Sequence, residues 1–395
     1  RTLDRVIRRN IRLAEGDAYV ASLLARSKTL ITNLGFFSKV DLTENTTAKQ
    51  GATDIIVDLQ ETSTGELSFG GGYSSQVGGL LNIGVSEKNF MGKGQRISLV
   101  SKFSEREADY TFSFSEPYFL NRDLYASTNL YNNKIDYKES SYELSRQGFN
   151  LSGNFTLDEF IRQSLRYSLE VRELTPRSGA SASIISAKGE TVLSELSTSI
   201  NIDTTDNRNM PTEGYSLAIA SSFAGLGGDK EFLRINNNAN YYKSFNEESI
   251  ILNVGYDAGV IIGLDQDILI SDRYFLGGNS FRGFDQSGLG PRDSNNSDSL
   301  GGNLFYTGSI KASFGIGLPP ELGVKGNWFA TAGSLTGIDK SSVSYNDDAS
   351  IRLSSGVGIS WNSPFGPISV IFSQAILKED YDRTESVSFG IGQKF

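Results

Sequence analysis

From about residue 63 onward, apolar and polar side chains alternate with a period of two. Leu81, Ile83 and Val85 alternate with Asn82, Gly84 and Ser86, and Tyr110, Phe112 and Phe114 with Thr111, Ser113 and Ser115. Leu165, Tyr167, Leu169 and Val171 likewise enclose Arg166, Ser168 and Glu170, and the dyad is still present at Val387, Phe389 and Ile391. Successive strand side chains point to opposite faces, so each stretch has one apolar and one polar face. The pattern predicts about 16 strands of roughly nine or more residues, the length a tilted strand needs to cross a bilayer. A soluble sandwich would alternate too. However, the polar faces carry charges, including Arg96, Lys102, Arg166 and Glu170, which suit a hydrated lumen. An even number of strands closed into a barrel also leaves no unpaired edge in lipid. The expected fold is therefore an all-β transmembrane antiparallel barrel.

Residues 1–62 have a different texture. Residues 2–13 are charged and amphipathic, and residues 18–34 carry Leu23, Leu24, Leu30 and Ile31 at helical spacing, with Asp17 as the expected cap and Gly35 as the stop. Residues 36–42 and 53–60 then alternate as two strands joined by a polar turn running to Gly51. This predicts a small α+β domain at 1–62 ahead of a barrel at 63–395. Three barrel connections stand out by length, at 172–189, 225–231 and 262–302, and the third exceeds an ordinary turn. Within it Phe281, Arg282, Gly283 and Phe284 interrupt a polar stretch. A guanidinium between aromatics calls for a partner.

Composition narrows the chemistry. The 395-residue chain has no cysteine and no histidine, so disulfides, thiolate metal sites and histidine-based nucleophile systems are excluded. A net charge of −9 without a basic patch argues against a nucleic-acid partner. Abundant glycine (42), phenylalanine (24) and tyrosine (17) with a mean hydropathy of −0.26 suit a polar-lumen barrel with aromatic girdles. No apolar run of about 18 residues is present. The chain opens in a charged segment without a signal peptide, which reads as a mature chain or a piece of a longer one. Gly92-Lys93-Gly94 lacks the spacing of a phosphate loop, and residues 293–298 lack the order and closing Glu of a calcium loop. Asp347-Asp348 and Glu379-Asp380 read as solvated loop carboxylates. No metal, cofactor or enzymatic reaction is expected.

Several motifs carry a family resemblance through their order and spacing. They are Arg8-Arg9 with Arg12 and Ala14-Glu15-Gly16; residues 33–40; residues 88–94; residues 203–214, with Asn207-Arg208 and Pro211 to Gly214; Phe281-Arg282-Gly283-Phe284; residues 363–367; and residues 389–395. Together the chain resembles the superfamily of outer-membrane insertases and polypeptide transporters that join periplasmic POTRA domains to a β-barrel. The resemblance implies a last, membrane-proximal POTRA domain in the periplasm of a Gram-negative cell and a barrel in the outer membrane. It also implies insertion of client barrels through a lateral gate between the first and last strands. Gate positions would be Gly70, Gly71, Gly72, Phe389, Gly390, Ile391, Gly392 and Phe395. Glycines there would weaken the seam, or relieve crowding and allow curvature.

Implied partners are membrane lipids, unfolded outer-membrane clients, periplasmic chaperones and accessory lipoproteins, the last contacting Arg12 and Glu15, which equally suit a solvated helix face. The long loop is expected to fold into the lumen, where acidic wall residues would hold Arg282. Here those positions are Lys311 and Thr331, both inward by strand parity, so Glu170, Asp203, Asp257 and backbone carbonyls are the candidate partners. A related translocation subunit, a two-partner secretion transporter and a passive porin are the alternative functions.

Overall fold

The computed structural model describes residues 1–46, 52–246, 249–339, 344–364 and 366–392. Sixteen antiparallel strands, the first Gly65–Ser74 and the last Val387–Ile391, close a barrel in which each strand pairs with its chain neighbours. The alternation sorts itself as the period of two demands. Leu130, Val254, Val357 and Phe372 stand outward and exposed, while the inner faces cross-link through pairs such as Asn129 to Asn150 (2.8 Å) and Ser164 to Ser199 (2.7 Å). An apolar belt of this extent would drive association in water. In a bilayer acyl chains solvate it, and the closed ladder satisfies the backbone.

The N-terminal domain comprises helices Asp4–Arg8 and Ala21–Asn33 and the antiparallel strands Phe37–Thr46 and Thr53–Glu61, packed around Val6, Ile31, Phe36, Phe37 and Val40. The expected turn through Gly51 lies outside the described residues. Two local expectations change. The first segment is helical only to Arg8, where the Asn10 amide takes the Val6 carbonyl at 2.8 Å. The second helix begins at Ala21, and Asp17 does not cap it: the carboxylate accepts the Ala14 N–H at 3.0 Å and closes an earlier turn. The domain sits on the short-turn rim of the barrel. There the Leu3 N–H donates to the Gly92 carbonyl (2.8 Å), Asn89 donates to the Thr2 hydroxyl (2.8 Å), and the Arg9 guanidinium lies 4.2 Å from the Tyr118 ring centroid.

The opposite rim carries the long connections. One contains the short helix Ala182–Ser186, whose Ile184 packs with Tyr142, Leu144, Leu174 and Leu300. The connection between Gly263 and Leu304 turns into the lumen, its Ile268 joining Leu193, Phe232 and Ile261 in a second cluster. Two further connections on this rim, 337–351 and 378–386, contain the carboxylate pairs Asp347-Asp348 and Glu379-Asp380 expected in loops, but their length is not marked by composition.

Leu130 is at mid-strand and more than half exposed on the outer face. Leu130→Arg is expected to lower the unfolding free energy in lipid vesicles by about 2–4 kcal/mol, read from urea titrations followed by heat-modifiable gel mobility.

Candidate functional site at the inner loop and the barrel seam

The inner loop enters the lumen on a buried charge cluster. Asp272 pairs with Arg172 of strand Ile161–Pro176 and lies 3.5 Å from the Lys230 ammonium, while Arg234 donates to the Asp272 carbonyl at 2.8 Å. Glu170 belongs to the same cluster. It pairs with Arg172 and accepts the Tyr131 hydroxyl at 2.6 Å. Breaking a buried pair leaves an uncompensated charge, so this cluster fixes where the loop begins its descent. The far arm is fixed by Asp298, which accepts the Ser141 hydroxyl (2.6 Å) and the Ser181 N–H (2.8 Å).

At the tip, Phe281 and Phe284 are fully buried and meet edge to face, with centroids 5.2 Å apart at 87°. Leu276, Leu289, Phe305 and Leu335 complete this apolar cluster. Gly283 has φ +93°, and a Cβ there would stand 2.9 Å from the Ser354 side chain. Both facts require glycine, because the chain turns left-handed while pressed against the wall. The motif therefore works as an apolar plug with a charged residue on its flank.

Among the described residues Arg282 makes no hydrogen bond or ion pair, and its buried Nε has no acceptor. Its guanidinium lies 5.6 Å from the Phe329 ring centroid. A cation–π contact is worth about 0.5–2 kcal/mol, less than the several kcal/mol that desolvating a charge costs. None of the three carboxylates expected to hold it does so. Glu170 is committed to Arg172. Asp203, on the short-turn rim, accepts the Thr205 N–H (3.1 Å) and hydroxyl (2.6 Å) and has Arg208 at 3.7 Å. Asp257 borders the same cavity as Arg282 but is registered against Thr307, four residues from Lys311, which is roughly 13 Å along a strand. Parity specifies the inner face correctly for all three and says nothing about height along the axis. Lys311 and Thr331 do line the cavity with Arg282.

The seam is the weakest junction of the barrel. The first strand shares ten register pairs with its hairpin partner but only two with the last strand, Gly390 with Ser74 and Ile391 with Tyr73. The Ser75 N–H donates to the Phe389 carbonyl at 3.0 Å, and Tyr73 stacks on Phe389 at 5.4 Å. On the seam side, residues 65–72, including Gly70, Gly71 and Gly72, have no strand partner among the described residues. At about 0.5–1.5 kcal/mol net per hydrogen bond, the seam is held by a few kcal/mol. Glycine is required at the crossing itself. A Cβ on Gly72 would fall 2.3 Å from the Ile391 carbonyl oxygen, and Gly392 turns away from the strand with φ +76°. Phe395, also expected at the gate, lies outside the described residues.

Loop and seam are joined. The Asp285 N–H donates to the Arg383 carbonyl (3.0 Å), the Arg383 N–H to the Gly288 carbonyl (2.8 Å), and the Glu385 N–H to the Gly283 carbonyl (3.2 Å). Residues 383–385 lead directly into the last strand. That segment is further held by a fully buried ion pair, Arg352 Nε to Asp382 at 3.0 Å. Sequence reasoning missed Arg172, Asp272, Arg352 and Asp382. The inward parity of Arg172 was readable, but the two aspartates look like any polar-loop carboxylate. The paired carboxylates read as solvated are also bonded: Asp347 accepts the Thr336 hydroxyl (2.7 Å) and the Gly337 N–H (2.9 Å), and Glu379 accepts the Ser350 hydroxyl.

Phe281→Ala is expected to reduce the free energy of local loop opening by about 3–5 kcal/mol, seen as faster amide exchange across residues 276–289. Asp382→Asn leaves Arg352 without its counter-charge and is expected to cost about 3–5 kcal/mol, measured as exchange across residues 378–391.

Comparison with known proteins bears directly on this architecture. A family model described as the Omp85 superfamily domain matches residues 89–395, and a POTRA model, described as surface antigen variable number repeat, matches residues 1–62. Over 398 aligned residues the chain is 34% identical to the outer membrane protein assembly factor BamA of Neorickettsia risticii (strain Illinois), covering 100% of this chain and 54% of that protein. The chain thus spans about half the length of the curated relatives it matches first. The crystal structure of BamA from Haemophilus ducreyi lacking POTRA domains 1–3 shares the fold with a TM-score of 0.90 at 22% identity, covering 100% of this chain and 82% of that one. CdiB from Acinetobacter baumannii does so at 0.64 and 15%, covering 99% and 71%. With a superfamily model spanning nearly the whole barrel and a POTRA domain preceding it, the chain belongs to the Omp85 superfamily.

Proposed function

We propose that the chain is the membrane-embedded part of an outer-membrane protein insertase, with its POTRA domain in the periplasm and its barrel in the outer membrane. The observation that carries this reading is the two-rung seam. It leaves residues 65–72 as a strand edge inside an otherwise closed ladder, and an exposed edge attracts an added strand through backbone hydrogen bonds. A client strand pairing with this edge begins its own barrel already in register with lipid. The relatives named as outer membrane protein assembly factors support the same reading.

The inner loop has a defined part in this mechanism. Its apolar tip is anchored on the wall and hydrogen-bonded to residues 383–385, so it holds the last strand's entry while the first strand's edge stays free. The motif Phe281 to Phe284 therefore sets the position of one side of the gate, and Gly392 provides the bend at which the last strand leaves the sheet. The gate is formed by Gly70, Gly71, Gly72 and residues 389–392. Clients are unfolded barrel proteins handed over by periplasmic chaperones. Arg12 and Glu15, both exposed on the POTRA surface with Glu15 bridged to Arg8 at 2.8 Å, offer a charged edge to an accessory lipoprotein, where such charges set orientation more than affinity.

The native chain has no cysteine, so Ser74→Cys with Gly390→Cys gives a clean crosslink between residues in direct register, within reach of a disulfide. Oxidation is expected to stop insertion of a client barrel into proteoliposomes, and reduction to restore it. Full insertion through the oxidised, crosslinked protein would refute the gate. In parallel, Glu15→Lys is expected to reduce co-purification of accessory lipoproteins while leaving the barrel's heat-modifiability unchanged.

A further inference from the structure

We propose that the cavity between the loop tip and the barrel wall at Lys311 and Thr331 is an anion site, and that a small oxyanion of phosphate size serves there as the counter-charge of Arg282. The cavity measures about 200 Å³, room for a tetrahedral oxyanion with bridging waters at about 30 Å³ each. Its donors come from two adjacent rungs of one inner face and from the loop above. Lys311 is registered directly against Phe329, and Ser309 directly against Thr331. Arg282 lies across the face of Phe329, which brings its guanidinium to the level of the Lys311 rung.

The charge balance of this cluster is incomplete. Arg282 and Lys311 face one cavity and repel one another, and neither forms an ion pair among the described residues. Asp257, the carboxylate bordering the cavity, is registered with Thr307, beyond the hydroxyl rung and away from Lys311. Thr331 is buried as a residue and its hydroxyl makes no hydrogen bond among the described residues, and Ser309 beside it is likewise uncommitted. A guanidinium, an ammonium and two hydroxyls therefore converge with donors in excess of acceptors. An oxyanion satisfies that set through charge-assisted hydrogen bonds, as a carboxylate from the wall would if one stood at either rung. Lys311 is exposed to the lumen, so exchange with solvent is open.

The test uses the full-length protein in nonionic detergent, titrated with inorganic phosphate against chloride at constant ionic strength, with amide exchange of residues 277–289 as the readout. Phosphate is expected to slow exchange saturably in the parent. Lys311→Gln should raise the half-saturating phosphate concentration roughly tenfold, as loss of one charge-assisted hydrogen bond would. Lys311→Glu should reach the parent's phosphate-saturated protection without phosphate and respond to it no further. Exchange that ignores phosphate in the parent, or that titrates identically in the parent and Lys311→Gln, would overturn the site. Seam crosslinking does not enter this measurement, so the anion site and the gate stand or fall separately.

Discussion

The backbone hydrogen-bond ladder is the constraint on which everything else in this molecule depends. A bilayer offers no water to an unpaired N–H or carbonyl, so a sheet that spans it must close on itself. Here fifteen junctions close with five or more register pairs each and the sixteenth with two. The barrel is thus topologically complete and energetically weak along one line. That line separates the two strands furthest apart in the chain, where opening requires no other hairpin to be broken.

The inner loop turns that weakness into a directed one. Its tip buries Phe281 and Phe284 in an apolar cluster with the wall residues Phe305 and Leu335. Three backbone hydrogen bonds then tie the loop to residues 383–385, and Arg352 with Asp382 ties the same segment to the strand Arg352–Ser363, two strands away from the last. The last strand is therefore anchored above, where it enters the sheet, and weakly paired along its seam face. The first strand is held on its hairpin side alone over residues 65–72. Glycine at 72 and 392 permits the close crossing and the bend that this asymmetry needs.

Much of the architecture was legible before any coordinates. Strand parity placed Leu81 and Leu165 outside and Lys311 and Thr331 inside, because a period of two is a local property that closure does not alter. Helix boundaries were less readable: Asp17 looks like a cap in sequence but is satisfied by Ala14, since a short side chain bonds to whichever N–H the turn brings near. The charged anchors were the hardest. Asp272 and Asp382 are indistinguishable in sequence from solvated loop carboxylates, and only the packing of the loops against Arg172 and Arg352 makes them buried ion pairs.

By itself the sequence determined the strand number, the face of each side chain, the N-terminal α+β domain and the motif on the inner loop. Each follows from short-range periodicity or from residue types that a turn requires. Tertiary structure alone decided the partners: that Glu170 serves Arg172, that Asp203 stays at the opposite rim, that Asp257 is held away from Lys311, and that Arg282 rests on Phe329 without a carboxylate. The reason is geometric. Alternation specifies inside or outside for every strand residue, whereas the height at which two inner residues meet depends on the register of every intervening hairpin and on how far the loop descends.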